Sequence, residues 1–183
     1  MAWSEKEKML AGEPYRADDP ELLAERRRCQ ALLRTFNEEI DEQARSAALR
    51  ELLGRVGDGT DVQSPLRCDY GFNISLGAHS FINYSAIVLD VVPVVIGDHV
   101  QIGTAVQILT ADHPRDPRLR RSGAESGSPV TIEDNVWIGS GAIVCPGVTI
   151  GTNTVIGAGS VVTRAIPPDV VAAGNPARII RSL

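Results

Sequence analysis

Aliphatic residues recur at every sixth position over most of the chain. In the segment WIGSGAIVCPGVTIGTNTVIGAGSVV, residues 137–162, Ile or Val occupies positions 138, 144, 150, 156 and 162, and glycine repeatedly follows. The same phase runs from Val56 to Val162 in five groups of three. The spacing is eight residues, not six, from Cys68 to Leu76 and from Val88 to Ile96. From Ile108 to Ile132 it is 18 residues longer than the usual six.

This six-residue period excludes a helix and favours stacked short strands. Six helical steps of about 100° leave a residue roughly 120° from the face it would have to share. If each hexapeptide instead forms one short parallel strand and a turn, three of them make a triangular coil with the aliphatic residues inside. Small residues at the fifth position of each repeat can fill the remaining interior: Val136, Ala142, Val148, Thr154 and Ser160. The sequence therefore predicts a mainly β protein, a parallel β-helix of about five coils.

The start of the chain has the pattern of short helices. Residues 1–55 hold 22 charged residues, whereas the remaining 128 hold only 19. Ser4 and Glu7 have the spacing of a capping box, and Asp19 followed by Pro20 is typical of a helix start. A third helix is expected from about Glu42 to Leu53.

The change of pattern near Gly57 divides the chain into two parts. We predict a helical N-terminal segment over residues 1–55 and a β-helix over residues 56–183, with an inserted loop at 111–129 and a C-terminal tail. The glycine-rich turns continue the hexapeptide register and do not join a strand to a helix. They are therefore interpreted as corners of the coil, not as a nucleotide-binding loop.

Charge and cysteine content narrow the class of protein. The net charge of −5 and the pI near 5.2 argue against nucleic-acid binding, although a local basic patch stays possible. Cys29, Cys68 and Cys145 form neither a CxxC pattern nor a disulfide framework and are expected to be reduced thiols. No apolar run suits a signal peptide or approaches the ~20 residues of a membrane span. A cytoplasmic protein with no membrane partner is expected.

Beyond the repeats, six segments are distinctive. MLAGEPYRADDPEL lies near the start, CDYGFNISLG, FINYSAIVLD and TADHP lie in the middle, and DNVWIGSGAIVCPGVTIG and VVAAGNPARIIR lie towards the end. Together with the repeats, they resemble the maltose and galactoside O-acetyltransferases of the hexapeptide acyltransferase superfamily, including the related nodulation acetyltransferases. The resemblance covers essentially the whole chain.

The resemblance implies a left-handed β-helix assembled as a homotrimer with sites between subunits. It also implies transfer of acetyl from acetyl coenzyme A to a hydroxyl, expected to be the 6-hydroxyl, of a glucosyl or galactosyl sugar such as maltose, glucose or a galactoside. The hydroxyl would attack acetyl coenzyme A directly, without an acyl-enzyme, and no metal is expected. Galactoside acetyltransferases carry an acidic residue where this chain has Ala17, which favours the maltose-like side of the family.

A packed prism has no interior pocket, so the chemistry is expected in loops, on outer faces or between subunits. The insertion contains His113, and neutral imidazole suits removal of a hydroxyl proton near neutral pH. The match of TADHP to the family's active-site segment implies that His113 is the catalytic base. Glu125, in the same insertion, is a candidate for orienting His113 or holding the acceptor, with a solvent-exposed loop acid as the alternative. Asn83 matches the family asparagine that lies beside the catalytic histidine and meets the acceptor hydroxyl, and its alternative is a corner residue or ladder member.

The remaining site residues are assigned through the same resemblance. Acceptor binding is implied for Tyr15, Arg26, Asp69 and Asp90, although each of these two carboxylates could instead cap a turn. The Ser140 N–H would stabilise the oxyanion of the thioester. Coenzyme A binding is implied for seven residues: Trp137, Ser140, Ala158, Thr163, Arg164, Arg178 and Arg181. The arginines suit phosphates, with ion pairing across the trimer as their alternative, and Trp137 has the alternative of a trimer contact.

Three rival hypotheses stay open. One is an acetyltransferase of the same fold with a nodulation-type oligosaccharide as acceptor. Another is a zinc hydrase resembling gamma-class carbonic anhydrases, but His79, His99 and His113 are 20 and 14 residues apart and lack the paired spacing of that family. The last is a noncatalytic scaffold, since stacked hexapeptides also serve as assembly modules. Cys145 is expected to be a buried thiol and not a nucleophile.

Overall fold

The computed structural model of the chain describes residues 2–183; Met1, with which the predicted N-terminal segment begins, lies outside the described residues. The chain starts with three helices and one short strand: α1 (Glu5–Leu10), β1 (Tyr15–Arg16), α2 (Pro20–Glu38) and α3 (Glu42–Leu52). The predicted helix starts are observed. Ser4 Oγ accepts from the Glu7 N–H at 3.2 Å while Glu7 Oε2 accepts from the Ser4 N–H at 2.7 Å. Asp19 Oδ1 accepts from the Glu21 N–H at 2.9 Å and so caps α2.

From Arg55 onward, the chain winds through three sheets in turn, which we call faces 1, 2 and 3. Face 1 contains β2 (Arg55–Val56), β5 (Ile74–Leu76), β8 (Val94–Ile96), β13 (Val130–Ile132) and β16 (Thr149–Ile150). Face 2 contains β3 (Asp61–Val62), β6 (Phe81–Ile82), β9 (Gln101–Ile102), β14 (Trp137–Ile138), β17 (Val155–Ile156), β19 (Val170–Gly174) and β20 (Ala177–Ser182). Face 3 contains β4 (Arg67–Cys68), β7 (Ile87–Leu89), β10 (Gln107–Leu109), β15 (Ile143–Val144) and β18 (Val161–Val162). The predicted parallel β-helix is confirmed.

The six-residue column forms the inside of this prism. Every member from Val62 to Val162 is buried, and Val56, in the first coil, is half-buried. The five small residues predicted to fill the interior, from Val136 to Ser160, are buried as well. Backbone hydrogen bonds run from coil to coil, as from the Gly97 N–H to the Ile132 carbonyl at 2.8 Å. Burial of the apolar column and pairing of each backbone group with the next coil therefore stabilise the same structure.

Every departure from the six-residue step falls at the same corner of the prism, between face 3 and face 1. We call this corner edge 3–1, and the corner between faces 2 and 3 edge 2–3. The two steps of eight residues correspond to the turns 69–73 and 90–93, and the insertion follows β10. Edge 3–1 is therefore the irregular side of an otherwise regular solenoid.

The insertion has secondary structure that its sequence did not predict. It contains β11 (Ala111–Asp112), α4 (Pro117–Arg121) and β12 (Ala124–Gly127). Strand β12 pairs antiparallel with both β11 and β1, which gives a small sheet in the order β1-β12-β11. The predicted C-terminal tail is also ordered, because β20 folds back antiparallel on β19.

The helices attach to the prism in two places. Side chains of α2 and α3, such as Leu33 and Leu52, share one apolar core with Val62 of the first coil. Met9 and Leu22 belong to a second cluster, which packs against edge 3–1. Cys29 Sγ and Cys68 Sγ are free thiols 3.6 Å apart at the first of these contacts. Among the helices of residues 2–183, none combines the length and apolar character that crossing a bilayer requires.

Candidate active site

A polar pocket lies where the N-terminal segment meets edge 3–1. Its side chains are Tyr15, Arg26, Asp69, Tyr70 and Glu125, whose charges influence one another. The Tyr15 hydroxyl donates to Glu125 Oε2 at 3.0 Å, although 110 residues separate the two in sequence. The guanidinium carbon of Arg26 lies 5.4 Å from the centroid of the Tyr70 ring. Four residues assigned to the site from the sequence thus come together with Tyr70.

Three separate parts of the chain supply this pocket. The antiparallel pairing of β1 with β12 sets Tyr15 directly opposite Glu125. Helix α2 carries Arg26, and the turn that follows β4 on face 3 carries Asp69 and Tyr70. The pocket therefore depends on the helical segment, the insertion and the coils at the same time.

Burial shapes the electrostatics of the pocket. Burial, together with the neighbouring Glu125 carboxylate, raises the pKa of Tyr15 far above its ordinary value, so its hydroxyl stays a proton donor. Burial also raises the pKa of Tyr70 to about 12. The pKa of the Asp69 carboxyl is raised by burial, while the positive charge of Arg26 acts against this shift. The pocket holds two phenols, two carboxyl groups and one guanidinium, a set that can hydrogen-bond a polyhydroxyl ligand.

Two polar atoms of the pocket are buried without a hydrogen-bond partner among residues 2–183. They are the Tyr70 hydroxyl oxygen and Arg26 Nε. Next to them, a cavity of about 320 Å³ opens between Leu23, Arg26 and Glu125. Ala17, where galactoside acetyltransferases are expected to carry an acid, also lines this cavity. Unpaired buried donors beside an open cavity are typical of a site that a polar ligand completes.

His113 lies in the insertion just beyond β11, with its side chain exposed. Its backbone N–H donates to Asp112 Oδ1 at 2.8 Å. Arg115 holds the Asp112 carboxylate through two nitrogens, at 3.0 and 3.1 Å. Within residues 2–183, the imidazole makes no hydrogen bond. The local contacts therefore fix the backbone at His113 and leave its ring accessible to substrates.

A second group of predicted residues lies on edge 2–3. Asn83, Ser140 and Ala158 follow β6, β14 and β17 and therefore lie on this corner in the second, fourth and fifth coils. Asn83 is half-buried, and its Oδ1 accepts from the Tyr84 N–H at 2.8 Å. Ser140 is exposed, and its N–H has no acceptor within residues 2–183. Edge 2–3 thus presents an amide side chain and a free backbone donor in a line along the prism.

The other residues assigned to coenzyme A are divided between the two edges. Trp137 points outward from face 2 with 57% of its surface exposed. Arg178 and Arg181 are exposed on β20 of the same face. Thr163 and Arg164 follow β18 and so lie on edge 3–1, also exposed. Edge 2–3 with face 2 therefore contains most of this group in one chain, and edge 3–1 contains His113 and the polar pocket.

Asp90 requires a correction. Its side chain is 0% exposed, and both carboxylate oxygens accept from backbone N–H groups of residues 69–73, so no oxygen of the carboxylate is turned to an acceptor in the pocket. Its Oδ1 accepts from the N–H groups of Asp69 and Tyr70, at 3.0 and 2.9 Å, and burial raises its pKa to about 7. The turn-capping alternative, and not the acceptor-binding role, describes this residue.

Glu125 and the histidines also differ from their expected arrangement. Within residues 2–183, no hydrogen bond joins Glu125 to His113, because the carboxylate is engaged by Tyr15. Glu125 therefore lies in the polar pocket and makes no hydrogen bond to His113 within that part of the chain. His79 and His99 stack on each other between faces 1 and 2, with ring centroids 5.1 Å apart. They lie away from His113, and this arrangement does not favour the zinc hydrase hypothesis.

Two features of the site were missed by the sequence analysis. Tyr70 was not selected, although it directly follows Asp69, because an aromatic residue in a turn has no distinctive spacing. The Asp112–Arg115 ion pair that flanks His113 was missed as well. Its three-residue spacing within a polar loop could have indicated it, since such pairs recur wherever the chain turns back on itself.

Comparison with known proteins places the chain among acetyltransferases. Residues 8–57 match the maltose acetyltransferase hexapeptide capping motif, and residues 129–164 match the bacterial transferase hexapeptide (six repeats). Nodulation protein L of Rhizobium meliloti (strain 1021) is 53% identical over 98% of this chain and 99% of its own length. The crystal structure of a maltose O-acetyltransferase from Clostridium difficile 630 is 53% identical, covers 100% of this chain and 99% of its own, and has a TM-score of 0.97. A hexapeptide-repeat acetyltransferase of Vibrio cholerae O1 biovar eltor, complexed with acetyl coenzyme A, is 44% identical with a TM-score of 0.94 and covers 99% of both chains.

The fold, the site and these relatives define the class as a hexapeptide-repeat acetyltransferase. The chain belongs to the maltose and galactoside O-acetyltransferase family, as its sequence predicted. It is therefore an enzyme of the acyltransferase type, and the noncatalytic scaffold is not favoured.

Proposed function

We propose that this protein transfers the acetyl group of acetyl coenzyme A to a hydroxyl of a glucosyl or galactosyl sugar, such as maltose, glucose or a galactoside, and that the 6-hydroxyl is the one modified. The observation that carries this proposal is the pocket at the base of the His113 insertion. There, Arg26 and Glu125 line an open cavity, and Glu125 accepts from the Tyr15 hydroxyl. The Tyr70 ring with its unpaired hydroxyl lies beside Arg26. A sugar offers several hydroxyls that can both donate to the carboxylates and accept from these donors.

Acetyl coenzyme A is the donor in this proposal. A relative with 44% identity over nearly the whole chain was solved in complex with that molecule. The outward Trp137 and the exposed Arg178 and Arg181 supply an apolar surface and positive charge on the same face. These groups suit the pantetheine arm and the phosphates of coenzyme A, respectively.

The proposed reaction is a direct transfer. The sugar hydroxyl oxygen attacks the thioester carbon while the His113 imidazole takes the hydroxyl proton. Negative charge that develops on the thioester oxygen is stabilised by the free N–H of Ser140, which the rigid coil holds in place. The carbon–sulfur bond then breaks, and the imidazolium returns the proton to the coenzyme A thiolate. The products are an acetylated sugar and free coenzyme A, so no acyl-enzyme is needed.

We further propose that the active site forms between subunits of a homotrimer. In one chain, His113 lies on edge 3–1, whereas Asn83 and Ser140 lie on edge 2–3, at the opposite side of face 3. If face 3 turns towards a threefold axis, edge 3–1 of each subunit meets edge 2–3 of the next, and the ring closes. The outward residues of face 3 include five aliphatic side chains that suit burial in such an interface: Ile87, Leu89, Leu109, Ile143 and Val161.

A panel of acceptors tests the substrate. Purified protein is given acetyl coenzyme A with glucose, maltose, a galactoside or a nodulation-type oligosaccharide, and release of the coenzyme A thiol is followed for each. The oligosaccharide belongs in the panel because nodulation protein L is 53% identical to this chain. Mass spectrometry and NMR of the product then locate the acetyl group. Release of thiol without any acetylated sugar would refute the proposed acceptor class.

Replacement of the proposed base tests the mechanism. We expect His113→Ala to lower kcat by about 10²- to 10⁴-fold, the usual contribution of a general base, while coenzyme A affinity is unchanged. His99→Asn is the matched control, since His99 lies on another corner and asparagine tolerates its positive φ of 56°. Equal turnover in His113→Ala and the unaltered enzyme would remove His113 from the mechanism.

A further inference from the structure

The Asp90 side chain is buried next to the pocket. Among the described residues, its oxygen atoms accept hydrogen bonds only from backbone N–H groups and one side-chain amide of a single turn. Besides the two bonds at Oδ1, its Oδ2 accepts from the Asn73 N–H at 3.3 Å, and its carbonyl oxygen accepts from Asn73 Nδ2 at 2.7 Å. Within residues 2–183, it forms no ion pair with a lysine or arginine. A buried carboxylate is costly unless it is well hydrogen-bonded, and here the compensation comes only from residues 69–73.

The turn held by Asp90 carries two of the pocket's side chains. The pairing of β4 with β7 sets Cys68 beside Val88, so Asp90 occupies the place in the second coil that Tyr70 occupies in the first. The Asp90 carboxylate faces the backbone of this turn, while the side chains of Asp69 and Tyr70 extend into the pocket beside Arg26. A change at Asp90 would therefore reach the pocket through the backbone.

A second buried polar residue acts in the same way one coil further on. Thr110 Oγ1 donates to the Leu89 carbonyl at 2.7 Å and accepts from the Val92 N–H at 3.4 Å. Thr110 directly precedes Ala111, where the His113 insertion begins. Asp90 therefore lies between the turn 69–73, which carries Asp69 and Tyr70, and Thr110, which precedes the insertion.

We propose that Asp90 is a positioning residue for acceptor recognition: its carboxylate fixes the backbone of residues 69–73 and so orients Asp69 and Tyr70, without contact with the acceptor. This inference rests on the proposed function, because it assumes that these two side chains face a sugar. A change at Asp90 should affect the sugar and acetyl coenzyme A differently. The Asp90 carboxylate accepts hydrogen bonds only within residues 69–73, which include none of the residues assigned to coenzyme A, so we expect a change at Asp90 to act on the acceptor.

The test compares the change in KM for the sugar with the change in KM for acetyl coenzyme A. Asp90→Ala leaves three buried N–H groups without their acceptor, and we expect the KM for the best sugar to rise at least about tenfold. The KM for acetyl coenzyme A stays within about twofold of the unaltered enzyme, because no contact to it changes. Asp90→Asn keeps a carbonyl oxygen that can accept from the Asp69 and Tyr70 N–H groups, so most of the acceptor affinity returns.

Ser80→Ala is the matched control. Ser80 is also a buried polar residue that joins coils, since its Oγ donates to the Gly97 carbonyl at 2.9 Å and accepts from the Val100 N–H at 2.9 Å. It lies between faces 1 and 2, so its replacement lowers stability and leaves both KM values unchanged. If Asp90→Ala does not fold, Asp90→Asn must still show a smaller rise that is confined to the sugar. An unchanged sugar KM, or equal changes in both constants, overturns the proposal.

Hydrogen exchange separates this proposal from the proposed function. The Asp69 and Tyr70 amides should exchange faster in Asp90→Ala than in Ser80→Ala, whether or not a sugar is turned over. Faster exchange together with no transfer to any sugar would leave Asp90 as the anchor of the turn and refute the acceptor class. Unchanged exchange in an active enzyme would refute the role of Asp90 alone.

Discussion

Tyr70 combines complete burial with an unpaired hydroxyl, a combination that folded proteins usually avoid. The side chain is 0% exposed, and its oxygen has no hydrogen-bond partner among residues 2–183. Arg26 Nε, beside the same ring, is in the same condition. Leaving a buried donor unpaired costs about 1–3 kcal/mol, so these atoms weaken the free protein and await a ligand or a water molecule. These unpaired donors therefore lower the free energy of unfolding of the ligand-free protein.

Replacement of Tyr70 tests whether its hydroxyl is unpaired in the free protein and contacts the sugar. We expect Tyr70→Phe to leave the free energy of unfolding unchanged or raised, because it removes an unsatisfied hydroxyl and keeps the ring over Arg26. The kcat/KM for the sugar should fall, and the KM for acetyl coenzyme A should stay constant. Denaturant unfolding and steady-state kinetics measure the two effects. Tyr15→Phe is the control: its hydroxyl is bonded to Glu125, so its loss should destabilise the protein by about 1 kcal/mol. Equal destabilisation by both changes would show that the Tyr70 hydroxyl is already satisfied.

At this scale, the sequence identified types of residue better than their partners. Tyr15 and Arg26 were assigned to acceptor binding and Glu125 was selected by its place in the insertion; all three lie in one pocket, but the hydrogen bond between Tyr15 and Glu125 was not predicted. That bond depends on pairing between a two-residue strand near the start and a strand in the insertion, and neither has a pattern of its own. The burial of Asp90 could not be predicted either, because its position in a turn says nothing about what covers it.

The elements of the solenoid follow from one repeated rule, and the site lies where that rule is broken. The six-residue period predicted nearly all the strands of the three faces, since inward burial and coil-to-coil hydrogen bonds impose the same period. The two eight-residue steps and the insertion were visible in the sequence. They converge on edge 3–1, and counting residues per face would have shown this. The small sheet of β1, β11 and β12 could not be found in this way, because it has no period and joins distant segments.

The regular coils also position a backbone donor. A Cβ atom added at Gly103 would lie 2.6 Å from the Ser140 nitrogen and 2.9 Å from its Cα, closer than real contacts allow. We therefore expect Gly103→Ala to displace the Ser140 backbone, cost about 1–3 kcal/mol of stability, and lower kcat by displacing the oxyanion donor. Thermal unfolding and turnover at saturating substrates measure the two effects.

Gly77→Ala separates strain from function in that experiment. Gly77 packs equally tightly, against the backbone of Gly97, but it lies at the corner between faces 1 and 2. Its replacement should destabilise the protein to a similar extent and leave kcat unchanged. A fall in kcat that tracks stability in both variants would mean that the Ser140 position carries no special role.

At the scale of the whole molecule, one chain holds two different halves of a site on opposite sides of face 3. Edge 3–1 contains His113 and the polar pocket, and edge 2–3 contains Asn83 and Ser140. Neither half borders the other within the chain, so the proposed trimer is part of the chemistry and not only of the stability. Periodicity could not predict this, because it specifies the inside of the prism and is silent about the outer surface that meets a neighbour.

Mixed trimers test this arrangement directly. His113→Ala and Asn83→Ala are each expected to be nearly inactive alone. When they are co-expressed in equal amounts, one interface in four joins an intact His113 half to an intact Asn83 half, so we expect about a quarter of the unaltered activity to return. The specific activity of the purified mixture, and a mass of three times the 19.6 kDa chain by light scattering, are the measurements.

The pairing of variants decides where the site lies. His113→Ala mixed with Asp69→Ala is the control, because both residues belong to edge 3–1 of the same chain. Every interface then lacks one of the two, and no activity returns. If the site instead lay within one chain, neither mixture would recover activity, since each subunit would carry its own defect. Recovery with Asn83→Ala and none with Asp69→Ala therefore requires that His113 and Asp69 of one subunit work with Asn83 of the next.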